Sequence, residues 1–443
     1  MSSKILYVVH CVDTEGPLDE TMEATFERLK EIFDVNLPVT VANYTALLDG
    51  NIETGNLEID AAISQTFSRE LLSYNRTWAS IDEMCKTLFS QHFRNLILDD
   101  FGHQWAITWF CLDHIGLSSN PRKKALGFNV VHSYYLDKIL ENLVLQDELQ
   151  LHYHPKSISG NPIGTSTSYL NSTPELIEIM ARRLIDFEWF PTCFRPGYHA
   201  ERQDLSLFLE QWIPFDFGNQ SYEIESNQPD IQDSRLGDWR RASKSWGGYS
   251  PSYTDYQSQG EMGRKIFRCL NLGTRFRLLT QDHVDAAFLE ASQKNKALLS
   301  FTDHDFRDIL PDILACKKML EIAKDKYPEV KIRFLSADKA ARNMLADGIE
   351  PLELVVKLVA NKLSVSILSG ELFGWQPFLA IKTLDGKYLH DNFDIESPQI
   401  LWSYSFEKQT IELASIHSIA VGAAGKHGGF STKKIDLKTF DSQ

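Results

Sequence analysis

Five apolar runs in this 443-residue chain stop abruptly in charged or imidazole side chains, with helix-like segments between them. Ile5 to Val12 ends at Asp13 and Glu15, and Trp105 to Leu112 ends at Asp113 and His114. Leu149 to His154 carries His152 and His154 at its end, Thr192 to Phe194 leads into Arg195, and Ala297 to Thr302 meets Asp303-His304-Asp305. Near-continuous apolar strands alternating with helices are the pattern of right-handed β-α units, in which a parallel sheet or barrel is buried on both faces. Such folds assemble their sites at the carboxyl ends of the strands. The polarity of the five ends therefore predicts both an α/β fold and the place where its chemistry lies.

The most specific of these ends is Gln150-Leu151-His152-Tyr153-His154-Pro155. Alternate side chains of a strand share a face, so Gln150, His152 and His154 point the same way. Two imidazoles at i and i+2 can close on one metal ion, whereas the plainer alternative is a polar strand end with exposed histidines. Asp13 and Glu15 likewise share a face, with Cys11 below them as a small apolar filler. A catalytic metal site needs three protein ligands and an open position. His152, His154 and one of Asp13 or Glu15 supply the three, and the other carboxylate is then the general base. His10, His132 and His283 are read as structural.

Helices are predicted over Thr25 to Phe33, Ser133 to Leu145, Pro174 to Phe187, His283 to Gln293 and Asp312 to Lys324. Further apolar runs lie at Trp212 to Phe217, which carries Asp216, and at Lys331 to Leu335. Residues 36–100 read as a helical insertion and 219–265 as a long irregular section. Beyond residue 348 the texture changes to short alternating runs at Leu352 to Ile367, Phe378 to Thr383, Ile400 to Phe406 and Gln409 to Ile416. This predicts a small antiparallel β domain over 349–443 behind a barrel domain over 1–348. A carbohydrate-binding or docking module and a stabilising cap are the two readings of it. Trp375 and Trp402 are sugar platforms in the first and core in the second.

With 60 acidic against 45 basic residues the net charge is −15, which argues against a nucleic-acid partner. No run reaches the length of a membrane span, and the apolar start at Ile5 is too short for a signal peptide. The six cysteines, at 11, 85, 111, 193, 269 and 316, form no close pairs. The expectation is a cytoplasmic protein with reduced thiols.

In order, the motifs resemble the polysaccharide deacetylase superfamily, the NodB-homology carbohydrate esterases. Asp13-Thr14-Glu15-Gly16-Pro17 is similar to that family's first motif and His152-Tyr153-His154-Pro155 to its second. Phe194-Arg195-Pro196-Gly197-Tyr198 resembles the third, Asp238-Trp239 the fourth, and Phe301-Thr302-Asp303-His304-Asp305 the fifth. Trp109 to His114, Asn120-Pro121-Arg122 and Thr302 to Arg307 look closest to the WbmS-like branch associated with bacterial O-antigen clusters. Over residues 5 to 345 the resemblance implies an incomplete, seven-stranded (β/α) barrel. It also implies a divalent metal, zinc by first choice, and removal of an acyl group from an amino sugar. Arg195 then orients the base, Asp238 holds Arg195, and His304 is the general acid, kept charged by Asp303 or Asp305. Asp113, His114, Tyr198, Trp239 and Asp303 fall to the substrate. Two departures leave roles open: the family's adjacent aspartate pair is here Asp13-Thr14-Glu15, and the second motif is shortened to His-X-His.

Plainer roles compete with these: Arg195 as a buried ion-pair partner, His304 in a capping cluster, and Asp113 as a helix cap. Two other functions remain, a glycan-binding scaffold with a degenerate site and a metal-free glycoside hydrolase using a carboxylate pair.

Overall fold

The computed structural model describes residues 4–156, 168–223, 237–274, 276–345 and 350–437. β1 (Lys4–Thr14) opens the chain, followed by α1 (Met22–Phe33) and four helices, α2 (Val41–Leu48), α3 (Leu57–Thr66), α4 (Trp78–Leu88) and α5 (Gln91–Asn95). These four are the expected insertion. Then come β2 (Ile107–Cys111), α6 (Val130–Glu141), β3 (Glu148–Tyr153), α7 (Thr173–Phe187), β4 (Cys193–Pro196), α8 (Gln203–Trp212) and β5 (Phe215–Asn219). β6 (Lys265–Asn271), α9 (Gln281–Lys294), β7 (Lys296–His304), α10 (Leu310–Lys326), β8 (Val330–Phe334) and α11 (Ala337–Leu345) complete this part.

Strands β1 to β7 pair in parallel in sequence order, and β1 pairs with both β7 and β2, so seven strands close a barrel. β8 is an eighth, extra strand. It shares the edge of β1 with β2, taking Lys4 to Val8 while β2 takes His10 to Thr14. Inward side chains form a continuous core: Tyr7, Val9 and Cys11 of β1, Phe110, Phe215, Phe217, Phe267, Cys269 and Leu298. Ala337, Ala340 and Ala341 of α11 join it. The alternate set on β1, Leu6, Val8 and Val12, faces the surrounding helices. This period-2 partition decides which terminal polar groups meet above the interior.

β6 falls at the end of the stretch read as irregular. Its apolar signal is interrupted by Arg268, which is buried and gives its hydrogen bonds to the Ser221 and Lys244 carbonyls and to Glu223. A run broken by a charge does not read as a buried strand. The apolar run Trp212 to Phe217 is divided between two elements: Trp212 ends helix α8 and Phe215 begins β5.

The C-terminal part forms two four-stranded antiparallel sheets. Strands β9 (Glu353–Val359), β10 (Lys362–Ser369), β13 (Asp394–Ser397) and β14 (Leu401–Ser405) form one sheet. β11 (Phe378–Thr383), β12 (Tyr388–Asp391), β15 (Ile416–Ala424) and β16 (Phe430–Asp436) form the other. The run 352–367 is thus a hairpin, and 409–416 is mostly loop and a short 3-10 helix at Leu413–Ser415. Leu363, Val365 and Trp402 of one sheet pack on Leu379, Ile381 and Val421 of the other. The second sheet's outer residues Phe378, Ala380 and Ala420 pack on Leu176, Met180 and Leu184 of α7. At Gly422 a Cβ would meet Leu184 at 2.8 Å and Phe190 at 2.9 Å, so the strand lies directly on the helix layer. Barrel and sandwich therefore share a core. Trp402 is buried within the sandwich, whereas Trp375 is 68% exposed. Among the described residues no helix is long and apolar enough to cross a membrane.

Candidate metal centre and its cavity

A cavity of about 350 Å³ opens at the carboxyl ends of the barrel strands, lined among others by Asp13, Glu15, His152, His154, Tyr198 and His304. One ligand atom each from Glu15, His152 and His154 lies within 4.8 Å of the others. The His152 and His154 Nε2 atoms are 3.1 Å apart, and His154 Nε2 lies 3.4 Å from Glu15 Oε1. Two nitrogens about 2.0–2.1 Å from a tetrahedral zinc lie roughly 3.3 Å apart, so the spacing fits a shared ion. The tautomer fits as well. The Arg195 carbonyl can only accept, so His152 donates Nδ1–H to it at 2.8 Å and keeps the Nε2 lone pair for the cavity. Fixing one ring nitrogen to free the other is the usual support of a ligating histidine.

His154 is set by its neighbours across β4. Gly197 lies against its ring: a Cβ there would come within 2.4 Å of the imidazole carbons. Tyr198 and His199 then take left-handed backbone, φ 55° and 51°. This turn lays the Tyr198 ring edge-on to His154 at 4.5 Å. Tyr198 thus lines the cavity.

Asp13 stands apart from the trio. Arg195 grips it with two bonds, Nε to Oδ1 at 2.6 Å and Nη2 to Oδ2 at 3.1 Å. Burial alone would raise this carboxyl, but the Arg195 guanidinium and His152 outweigh it and hold the group well below the carboxylate range. Glu15 is also buried, and Lys124 and His154 hold it low in the same way. Lys124 Nζ takes Glu15 Oε2, which leaves Oε1 toward the histidines. The geometry thus separates two carboxylates that sequence left interchangeable.

His304 lines the cavity with Nε2 3.8 Å from Asp13 Oδ2, its ring against Phe306 at 4.8 Å. Burial pushes it down to about 3 despite Asp13 and Glu15, so it rests neutral. Neither flanking aspartate holds it. Asp303 points to the outer face of β7 and accepts from His10 Nε2 at 2.7 Å, while Trp105 donates to His10 Nδ1 at 3.1 Å. Asp305 accepts the backbone N–H groups of Glu15 and Gly16, at 2.8 and 2.9 Å, and the Tyr135 hydroxyl. It clamps the turn that carries Glu15.

Two further assignments are corrected. Asp238 does not hold Arg195: its carboxylate faces outward to Arg240 Nε at 2.9 Å. Arg195 is held by Asp13 and by the Phe217 carbonyl. Trp239 is fully buried, donates to the His199 carbonyl at 2.9 Å and packs on Tyr256, away from the cavity. Asp113 and His114 reach the cavity wall with their polar atoms engaged. Asp113 accepts the Asn129 N–H at the start of α6 and pairs with Arg183, and His114 Nε2 meets the Glu15 carbonyl at 3.0 Å. Sequence reasoning missed Lys124, Arg122 and Arg28, all of which line the cavity. No strand end announces them, since they sit on a loop and on α1.

No family model matches the chain, and no curated protein does. A matching solved structure is that of a Mycobacterium smegmatis protein provisionally designated a polysaccharide deacetylase. It has 9% identity and a TM-score of 0.32, over 78% of this chain and 91% of that one. At that level nothing is carried over from it.

Proposed function

We propose that this chain is a metal-dependent hydrolase that removes an acyl group from an amino sugar, in a bacterial surface-glycan precursor. The observation that carries the proposal is the Glu15, His152 and His154 trio on the cavity wall, with Asp13 held by Arg195 beside it. A divalent ion, zinc by first choice, would sit on that trio, where it would acidify water and polarise the amide carbonyl. Asp13 is the base. Arg195 keeps it charged and fixed in direction, at the expense of basicity, so an acidified water is the nucleophile this base can serve. His304, neutral at rest and 3.8 Å from Asp13, is placed to take up the proton that Asp13 has gained and deliver it to the departing nitrogen. Tyr198 and His114 line the space the sugar would enter.

The same charges weigh against a glycoside hydrolase. A carboxylate pair working on a glycosidic bond needs one protonated member. Asp13 and Glu15 are both held ionised, by Arg195 and by Lys124. The unpaired, buried thiols of all six cysteines suit a cytoplasmic location, where substrates would be precursors rather than finished glycan.

The test is metal analysis coupled to acid release. Purified protein is expected to hold about one divalent ion per chain, and His152→Ala or Glu15→Gln to lose both ion and activity. Free carboxylic acid is measured from a panel of N-acyl amino sugars. Metal-loaded protein that releases no acid from any of them would leave the glycan-binding scaffold as the reading.

A further inference from the structure

The cavity carries an excess of positive charge on one wall, in a chain whose net charge is −15. Its carboxylates each have a cation of their own: Asp13 with Arg195, Asp113 with Arg183, Glu15 with Lys124, and Glu175 with Lys156. Arg28 and Arg122 differ. Both line the cavity, yet they share a single carboxylate, Glu20. Arg28 binds Glu20 with Nε and Nη2, each at 3.0 Å, and Arg122 Nε lies 3.1 Å from Glu20 Oε1. Glu20 is absent from the cavity wall and its side chain is 2% exposed, so it stands behind the two guanidiniums. The Arg122 side chain is 24% exposed and feels the charge of Glu15 as well as that of Glu20. Lys124, on the same loop, bridges to the candidate metal ligand.

Two guanidiniums set by one buried carboxylate are a preorganised receptor for an anion, since fork-shaped donors match phosphate and carboxylate oxygens. A divalent ion on Glu15 would add to the positive field. Ile32, Thr66, Leu71 and Tyr74, from α1 and the inserted segment that follows it, also line the cavity, whose volume is on the scale of a small ligand.

We infer that Arg28 and Arg122, with Lys124 beside them, form an anion subsite, and that the substrate is an N-acyl amino sugar bearing a phosphate or carboxylate group rather than a neutral one. This rests on the deacylase reading for the amide and on the charge arrangement for the anion, so the two are tested separately. Acid release is measured from N-acetylglucosamine, its 1-phosphate and N-acetylglucosaminuronic acid, with the metal-loaded full chain. The native protein is expected to favour an anionic substrate, and the better of the two identifies the group. In Arg122→Gln the preference, as a ratio of kcat/KM values, should fall about tenfold, and Arg122→Lys should recover part of it. Equal turnover of neutral and anionic sugars by the native protein overturns the subsite and leaves the deacylase standing. If none of the three is turned over, inorganic phosphate binding to the metal-stripped full chain decides, read by calorimetry. Binding that weakens several-fold in both Arg122→Gln and Arg28→Gln, with native melting temperatures, upholds the subsite without the deacylase, and absent or unchanged binding overturns it.

Discussion

Two buried arginines of the barrel domain bind carboxylates by the same chemistry and to different ends. Arg195 at the end of β4 holds Asp13, and Asp13 looks into the cavity. Arg264, just before β6, pairs with Glu201 at 2.9 Å and with Asp216 of β5, and none of the three lines the cavity. At Arg195 one cation faces one carboxylate, which burial cannot protonate because the guanidinium outweighs it. At Arg264 one cation is shared by two carboxylates in a sealed space, and burial pushes Glu201 up to about 8. Charge ratio and access to the cavity, rather than burial, distinguish a group ready to accept a proton from one that keeps the proton it has.

The comparison breaks most visibly at Asp13. Asp13→Asn should lower kcat by roughly a thousandfold while metal content stays near one ion per chain, because the base is lost and the trio is not. Glu15→Gln should instead lower metal content first. If Asp13→Asn empties the site and Glu15→Gln does not, the roles drawn here are reversed.

A smaller effect, on stability rather than rate, is expected at the sealed cluster. Arg264→Met removes the one cation between two buried carboxylates, and breaking such a pair costs about 3–5 kcal/mol. Denaturant unfolding should register that loss, with activity per folded molecule unchanged. A comparable fall in kcat would mean that the sealed cluster supports the cavity after all.

The smallest effect is the pH dependence of that cluster. Glu201 is raised by burial, with Asp216 adding to it, so the folded state binds the proton more tightly than the unfolded chain. Its contribution to stability is therefore complete below the ordinary glutamate range and is lost as pH rises through about 8. Thermal melting of the native protein should decline over that interval, and Glu201→Gln should flatten the decline. An unchanged slope would place the titration elsewhere.

Sequence periodicity by itself determined the barrel, the insertion and the end at which the site is built, because apolar runs and their polar terminations are local facts. It also determined that His152 and His154 share a face. Tertiary structure alone decided which carboxylate joins the histidines: Asp13 and Glu15 are two residues apart, and only Arg195 from β4 and Lys124 from the loop after β2 tell them apart. It likewise moved Asp238 out to Arg240 and Trp239 into the core, since residues outside regular strands carry no periodicity to fix their direction. The basic wall came from α1 and the loop after β2. Pairing between charges far apart in the chain is a property of the closed barrel, and no spacing along the sequence records it.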